Sequence, residues 1–335
     1  MAQAIISRRG GGSGYVTITF NGASSLTKRG AAALSVGRGG PSATTVGAYA
    51  LFGGGYGGSY SSVVDAYDIS LIRSTPTALS AARSNLAATT VGNYALFGGG
   101  AGTNEEVDAY NASLTRSTPT TLSRSRGYLA ATAVGNYALF GGGSNGQYSS
   151  VVDAYNSSLT TSTPTALSYA RSNLAATTVG NYALFGGGSG YSSVVDAYNT
   201  SLTRSTPTAL SAARSNLAAT AVGNYALFGG GMNSDYLARV DAYNTSLTRS
   251  ITNNLSQARA NVAATTLRSW AFFGGGSSSY AGVEFFYVDN YVKVYPGTIY
   301  KLGSMTTEST SSTMKDVITT APITGYIKIK DATIN

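Results

Sequence analysis

The sequence predicts an all-β protein, a β-propeller of six blades, and three observations lead to that prediction. In the 335-residue chain a Gly-Gly-Gly triplet recurs six times between residues 53 and 276, at intervals of 45 or 43 residues. An Asp-Ala-Tyr triplet recurs five times, and the next triple glycine always begins 33 residues after its Asp. Between the markers lie strand-length runs of small, β-branched and aromatic residues. A repeat of this length built from short strands is typical of propeller blades.

The two markers divide each repeat into a constant frame and one variable loop. From each triple glycine to the Asp that follows it, the distance alternates 12, 10, 12, 10, 12. All length variation therefore falls in that one loop. The triple glycines begin at Gly53, Gly98, Gly141, Gly186, Gly229 and Gly274, and the Asp residues are Asp65, Asp108, Asp153, Asp196 and Asp241.

Each repeat predicts four short strands in a fixed order. Residues 87–91 are small and β-prone, which suits the crowded centre of a ring, and Gly92 with Asn93 signals a hairpin. Residues 94–97 form a continuous apolar strand that we expect to be buried on both faces. Residues 193–198 of a later repeat show the third strand, and an Asn-x-Ser turn leads to the outer strand at 202–205. Such a sheet exposes two apolar faces, and closing a ring of sheets covers them.

The two ends of the chain lie outside the repeats. We expect residues 283–288 and 291–295 to complete the sixth blade, residues 1–32 and 304–335 to form short β-rich extensions, and 33–303 to form the propeller. The alternating segments 15–20 and 326–330 are predicted to pair with each other or to add to a blade edge. A seventh, degenerate blade made from both ends is the alternative.

Composition excludes several classes of function. The chain has no Cys and no His, so thiolate chemistry and histidine bases or metal ligands are absent, and we predict no catalytic residue, no metal and no cofactor. The net charge is +8, but the basic residues are spread along the repeats, which argues against nucleic acid as a partner. No apolar run is long enough for membrane insertion, and the first residues do not read as a secretory signal. Glu105 and Glu106 are adjacent on one loop, so their side chains point apart, and they do not form a catalytic pair.

One segment carries a resemblance to the kelch family. Residues 214–219, 223–230 and 241–244 place an arginine before the first strand, paired glycines after an apolar strand, and a later tyrosine followed by Asn. This pattern resembles the kelch motif, recurs six times and covers about residues 33–303, so it implies a kelch-type six-bladed propeller. The tryptophan of the kelch outer strand is missing, and the only one in this chain is Trp270. The copper chemistry of the family's oxidase branch needs His and Cys, so it is not implied here.

One arginine per repeat precedes the first strand, so the ring is expected to carry a circle of arginines. Some kelch propellers resemble this arrangement and hold acidic peptide segments at the matching position. The alternative is that each arginine pairs within its own repeat, and repeated residues usually serve the packing of the repeat. The candidates are Arg38, Arg83, Arg126, Arg171, Arg214 and Arg259.

The variable loops supply a second set of candidate binding residues, because tyrosines recur in them. A tyrosine offers an apolar ring and a hydroxyl, which suits sugars or a protein partner. Ordinary solvated loops are the alternative. The candidates are Tyr60, Tyr148, Tyr191, Tyr236 and Tyr280.

These observations predict a non-enzymatic binding or structural module. Residues 4–11 resemble the openings of tail appendage proteins from phages of Gram-positive bacteria. That resemblance implies a virion protein of the tail or baseplate, assembled in the host cytoplasm, with other virion subunits and host-surface polysaccharide as partners. The alternative is an intracellular bacterial scaffold that binds acidic peptides through the arginine circle.

Overall fold

The structure of the chain is a computed structural model. It describes residues 3–8, 16–21, 31–101, 104–190, 192–277, 282–288, 291–293, 298–299, 321–322 and 326–328. Strand β1 (Gln3–Arg8) pairs antiparallel with strand β2 (Val16–Asn21), and these two strands belong to a separate unit made from both ends of the chain.

Residues Ala31–Tyr287 form a six-bladed β-propeller, in which each blade is one antiparallel sheet. In each of the first five blades the four strands pair in chain order, from the channel outward. The first three blades consist of β3 (Ser42–Val46), β4 (Tyr49–Gly53), β5 (Val64–Tyr67) and β6 (Arg73–Ser74); β7 (Ala87–Val91), β8 (Tyr94–Gly98), β9 (Val107–Asn111) and β10 (Arg116–Ser117); and β11 (Ala130–Val134), β12 (Tyr137–Gly141), β13 (Val152–Asn156) and β14 (Thr161–Ser162). The last three consist of β15 (Ala175–Val179), β16 (Tyr182–Gly186), β17 (Val195–Asn199) and β18 (Arg204–Ser205); β19 (Ala218–Val222), β20 (Tyr225–Gly229), β21 (Val240–Asn244) and β22 (Arg249–Ile251); and β23 (Ala263–Leu267), β24 (Trp270–Gly274) and β25 (Val283–Tyr287).

The six innermost strands surround a central channel with a volume of about 430 Å³. Its lining consists of Ala and Thr, so the strands come close without bulky side chains between them. Threonine hydroxyls link neighbouring blades at the lining, and the Oγ1 atoms of Thr44 and Thr90 are 2.9 Å apart. The small residues of the inner strand therefore fit the crowded centre that the sequence predicts.

Blades two to six each pack on the blade before them by placing a phenylalanine over a glycine. A β-carbon added to Gly53 would lie 2.8 Å from the ring of Phe97 in the next blade. The same contact recurs at Gly98, Gly141, Gly186 and Gly229, at 2.7–2.8 Å. Burying such a ring contributes about 1.5–3 kcal/mol. The first glycine of each triplet is thus required by the close approach of the following blade.

The second and third glycines of the triplet are required by the backbone. Gly230 has φ of +66° and Gly231 has φ of +100°, which side chains of L residues rarely tolerate. A β-carbon on Gly230 would also lie 2.7 Å from the carbonyl oxygen of Arg259. All three positions of the triplet therefore exclude a side chain, which accounts for its recurrence.

A buried tyrosine connects each of blades two to five to the connection before it. The hydroxyl of Tyr110 donates to the carbonyl of Thr77 at 2.7 Å, and its ring packs edge-on against Phe97 at 6.0 Å. Burial raises the pKa of Tyr110 well above its usual value, so this phenol stays neutral and donates. The equivalent tyrosines are Tyr155, Tyr198 and Tyr243.

The forward face of blade six, which is turned away from blade five, departs from the repeat. Phe285 stands where the other blades have alanine, and Phe272 stands where they have leucine. A β-carbon on Gly274 would meet only Val283, at 3.3 Å, and no phenylalanine from another blade. Phe285 is 54% exposed, and Trp270 packs against it at 5.0 Å. The forward face of blade six is therefore built differently from the same face of the other five blades.

Two expectations for the ends are wrong. The sixth sheet has three strands among the described residues, because β26 (Tyr291–Lys293) pairs with β29 (Tyr326–Lys328) instead of completing that blade. The segments near the two termini do not pair with each other either, since β2 pairs with β1. Each pairs with a segment nearer in the chain, which costs less loop-closure entropy. The last two strands, β27 (Thr298–Ile299) and β28 (Ala321–Pro322), also pair.

Candidate binding face

Two kinds of segment meet on one face of the propeller: the loop after each triple glycine and the connection to the next blade. In blade one, the N–H of Leu79 in the connection donates to the carbonyl of Ser62 in the loop at 2.8 Å. The N–H of Arg83 donates to the carbonyl of Ser61 at 3.0 Å. We call this surface the loop face. Backbone hydrogen bonds between the loop and the connection hold the loop face in place.

The six arginines predicted to form a circle lie inside the blades. Their side chains have no exposed surface, and a nitrogen of each lies 2.5–2.8 Å from a carboxylate oxygen of its own blade. In blades one to five, the same guanidinium donates to the carbonyl of the phenylalanine before the triple glycine, at 3.0–3.2 Å. This placement favours the role within the repeat over the capture of acidic peptides. The pairs are Arg38–Asp65, Arg83–Asp108, Arg126–Asp153, Arg171–Asp196, Arg214–Asp241 and Arg259–Glu284.

A second arginine, on the outer strand, reaches the same Asp in four blades. Arg249 lies 2.9 Å from Asp241, on the carboxylate oxygen that Arg214 does not use. Blade three has Thr161 at this position, so Asp153 pairs with one arginine there. The remaining pairs are Arg73–Asp65, Arg116–Asp108 and Arg204–Asp196, at 3.8, 3.5 and 2.8 Å. Two arginines to one carboxylate account for part of the positive net charge.

The environment of Asp241 keeps this carboxylate charged. Burial alone would raise its pKa, but the charge of Arg214, the hydrogen bonds from both arginines and the N–H of Ser211 outweigh it. The pKa of Asp241 is therefore held below its usual value. The pKa of Asp65 is also lowered, because Ser35 and Arg38 overcome the effect of burial.

The loop tyrosines, in contrast to the arginines, reach the surface. Tyr60, Tyr148 and Tyr236 are 45%, 53% and 43% exposed. They end the loops of blades one, three and five. Two other candidates, Tyr191 and Tyr280, lie outside the described residues.

Three further tyrosines beside the loops are also exposed: Tyr56, Tyr128 and Tyr169. Tyr56 pairs edge-on with Tyr60 at 5.8 Å. Tyr128 and Tyr169 lie in the connections before and after blade three, and both are exposed. The sequence signal for Tyr128 and Tyr169 is a departure from the repeat: Tyr128 stands where the neighbouring repeats have Asn, and Tyr169 stands where two other repeats have Ala81 and Ala212.

Comparison with known proteins supports the fold. No protein-family model matches the chain, and no curated protein matches it. The solved structure of YjhT, a propeller-type protein, superposes with a TM-score of 0.60. The match covers 76% of this chain and 96% of YjhT at 11% sequence identity. At that identity the likeness concerns the fold alone.

Two further findings concern the residues that the structure describes. No three His, Cys, Asp or Glu side chains among them come together as a metal-binding group. None of them forms a helix with the length and apolarity of a membrane span.

Proposed function

We propose that this chain is a non-enzymatic binding module of a phage particle, located at the tail or baseplate. Its loop face contacts host-surface polysaccharide or neighbouring subunits of the particle. The observation that carries this proposal is the contrast between buried charges and exposed rings. The repeated frame uses its arginines internally, while the loops present Tyr60, Tyr148 and Tyr236 to solvent. Aromatic rings with a polar end are typical of surfaces that bind sugars or proteins.

The non-enzymatic part of the proposal rests on the side chains that the sequence supplies. The chain contains neither His nor Cys. Of its 14 acidic residues, six form the ion pairs inside the blades. A carboxylate held between two arginines, such as Asp241, is a poor proton acceptor.

The place in a phage particle rests on the resemblance of residues 4–11 to phage tail appendage proteins. It is tested by isolating phage particles from a culture that produces the chain and quantifying it by mass spectrometry across a density gradient. We expect the chain to sediment with the particles at a constant ratio to the tail subunits. A chain found only in the soluble fraction would contradict the phage assignment and favour the cellular scaffold.

The binding function is tested with the full chain and a panel of purified wall polysaccharides from Gram-positive bacteria. Binding is measured by surface plasmon resonance, and turnover is measured by the release of reducing ends. We expect binding of at least one polysaccharide or of a purified tail subunit, without turnover. Release of reducing ends would contradict the non-enzymatic proposal.

A further inference from the structure

The loops of the loop face follow a two-blade period. Tyr60, Tyr148 and Tyr236 follow one another at intervals of 88 residues, and the longer loops occur in blades one, three and five. Blade six continues the alternation, since Glu284 follows Gly274 at the shorter distance of 10 residues. The loop face therefore carries the same long loop in every second blade.

Each long loop is a short hairpin fixed to the connection beside it. In blade one, Tyr56 and Gly39 exchange two backbone hydrogen bonds of 2.8 and 2.9 Å. In blade three the pair is Ser144 and Gly127, and in blade five it is Met232 and Ser215, at 2.8–2.9 Å. In the shorter loop of blade two, the N–H of Ala101 donates one such bond, to the carbonyl of Ser84 at 2.8 Å. The three hairpins are thus pre-organised, which lowers the entropy cost of binding.

The tips of the hairpins combine one ring with small polar groups. Gly57, Gly58 and Ser59 precede the tyrosine in blade one; residues 145–147 and 233–235 are Asn-Gly-Gln and Asn-Ser-Asp. A protein interface normally has a contiguous apolar core, whereas these tips offer one ring in blades three and five, and the Tyr56–Tyr60 pair in blade one, among hydroxyl and amide groups. That chemistry suits the apolar face of a sugar with its hydroxyls on either side.

The hairpin of blade one also borders a groove. Its volume is about 220 Å³, and Tyr60, Ser61, Ser62 and Val36 are among the residues that line it. This volume lies below the roughly 300–1,000 Å³ of sites for drug-sized ligands. It therefore suits a single sugar unit better than a larger ligand.

We infer that the three hairpins are three equivalent subsites, so that the chain binds a repeating polysaccharide through several weak contacts rather than one saccharide strongly. This inference rests on the proposed function and gives its glycan partner a class, a polymer with repeated units. Separate subsites on one rigid body raise the affinity for a polymer by about 10²–10⁴ over that of one subsite.

The test compares polymer and oligosaccharide binding by the full chain. The probes are the wall polysaccharide that binds best in the panel above and the short oligosaccharides made from it by partial acid hydrolysis. Variants Tyr60→Ala, Tyr148→Ala and Tyr236→Ala are made singly and together. Tyr169→Ala is the matched control, because Tyr169 is exposed on the loop face but lies outside the hairpins. Since all four side chains are exposed, the variants should keep the circular-dichroism spectrum and Tm of the parent.

By calorimetry we expect about three oligosaccharide sites in the parent, two in each single variant with an unchanged Kd, and none in the triple variant. The Kd for the polymer should rise at least about tenfold for each lost subsite, and Tyr169→Ala should match the parent. One oligosaccharide site in the parent, or complete loss of binding in a single variant, would overturn the inference. If the polymer binds and no hairpin variant weakens it, the inference fails while the proposed function stands. If no polysaccharide binds at all, the inference and its glycan basis fail together.

Discussion

Nη2 of Arg214 lies 2.8 Å from Oδ2 of Asp241, and neither side chain is exposed. Removing Arg214 would leave Asp241 buried with the partly exposed Arg249 as its remaining cation. We expect Arg214→Ala to lower the free energy of unfolding by about 3–5 kcal/mol, because a buried charge loses its buried partner. Arg249→Ala, which removes a partner at the edge of the blade, should cost about 0–1 kcal/mol.

Urea unfolding followed by circular dichroism measures both variants. If Arg214→Ala is insoluble, Arg214→Lys keeps the charge and should show an intermediate loss. If Arg214→Ala and Arg249→Ala lower the free energy of unfolding equally, burial of the Arg214–Asp241 pair does not increase its contribution to stability.

The glycines at the ends of the second strands offer a matched pair of substitutions. Gly229→Ala places a methyl group 2.7 Å from the ring of Phe273, so we expect a loss of about 1–3 kcal/mol from overpacking. Gly274→Ala meets only Val283 at 3.3 Å, and its effect should stay within about 0.5 kcal/mol. Thermal unfolding of the two variants gives the comparison. A loss at Gly274 as large as at Gly229 would mean that blade one packs on blade six as the other blades pack on one another.

Stability should fall in acid. The pKa values of Asp65 and Asp241 are lowered in the folded chain, so the unfolded chain takes up protons first as the pH falls. Their contribution is complete above the ordinary Asp pKa of about 4 and is lost as the pH drops below it. We expect the urea midpoint to be level between about pH 5 and 7 and to decline below about pH 4. In Asp241→Asn the decline should be shallower.

Four tyrosines should resist ionisation in alkali. Burial raises the pKa of Tyr110, Tyr155, Tyr198 and Tyr243 well above the usual value of about 10. The folded state therefore holds these protons more tightly, and its advantage is present below about pH 10 and lost above it. Absorbance at 295 nm should show these four titrating after the exposed tyrosines, together with unfolding. Titration of all 24 tyrosines in one step before unfolding would contradict the buried placement.

The sequence predicted the repeated strands because their markers are local and periodic. The strand 225–228, for example, is defined by the glycines after it and the hairpin signal before it. The destination of residues 291–293 was not predictable, although they follow Glu284 at the distance that separates Arg249 from Asp241. An alternating strand pairs equally well with several edges, and spacing does not choose among them.

The candidate site was predicted in part for a similar reason. Spacing placed one arginine per blade on a circle, but it did not give the direction of the side chain. The direction of the Arg214 side chain follows from Asp241. Asp241 can accept the hydrogen bond of Arg214 only when the third strand lies beside the second. The loop tyrosines were easier to find, since a variable loop beside a constant frame lies on the surface.

The phenylalanine-on-glycine contact also gives the row of blades a direction, because each sheet has a glycine on its forward face and a phenylalanine on its rear face. A repeat with two complementary faces has no inherent last member. An uncovered glycine face on one molecule can receive the phenylalanine face of another, which is how open-ended fibres grow. Phe285 occupies the room that alanine leaves vacant in the other five sheets. In the final sheet Phe285 is 54% exposed on the forward face, so this face differs in shape from the one that the other five sheets offer to a phenylalanine.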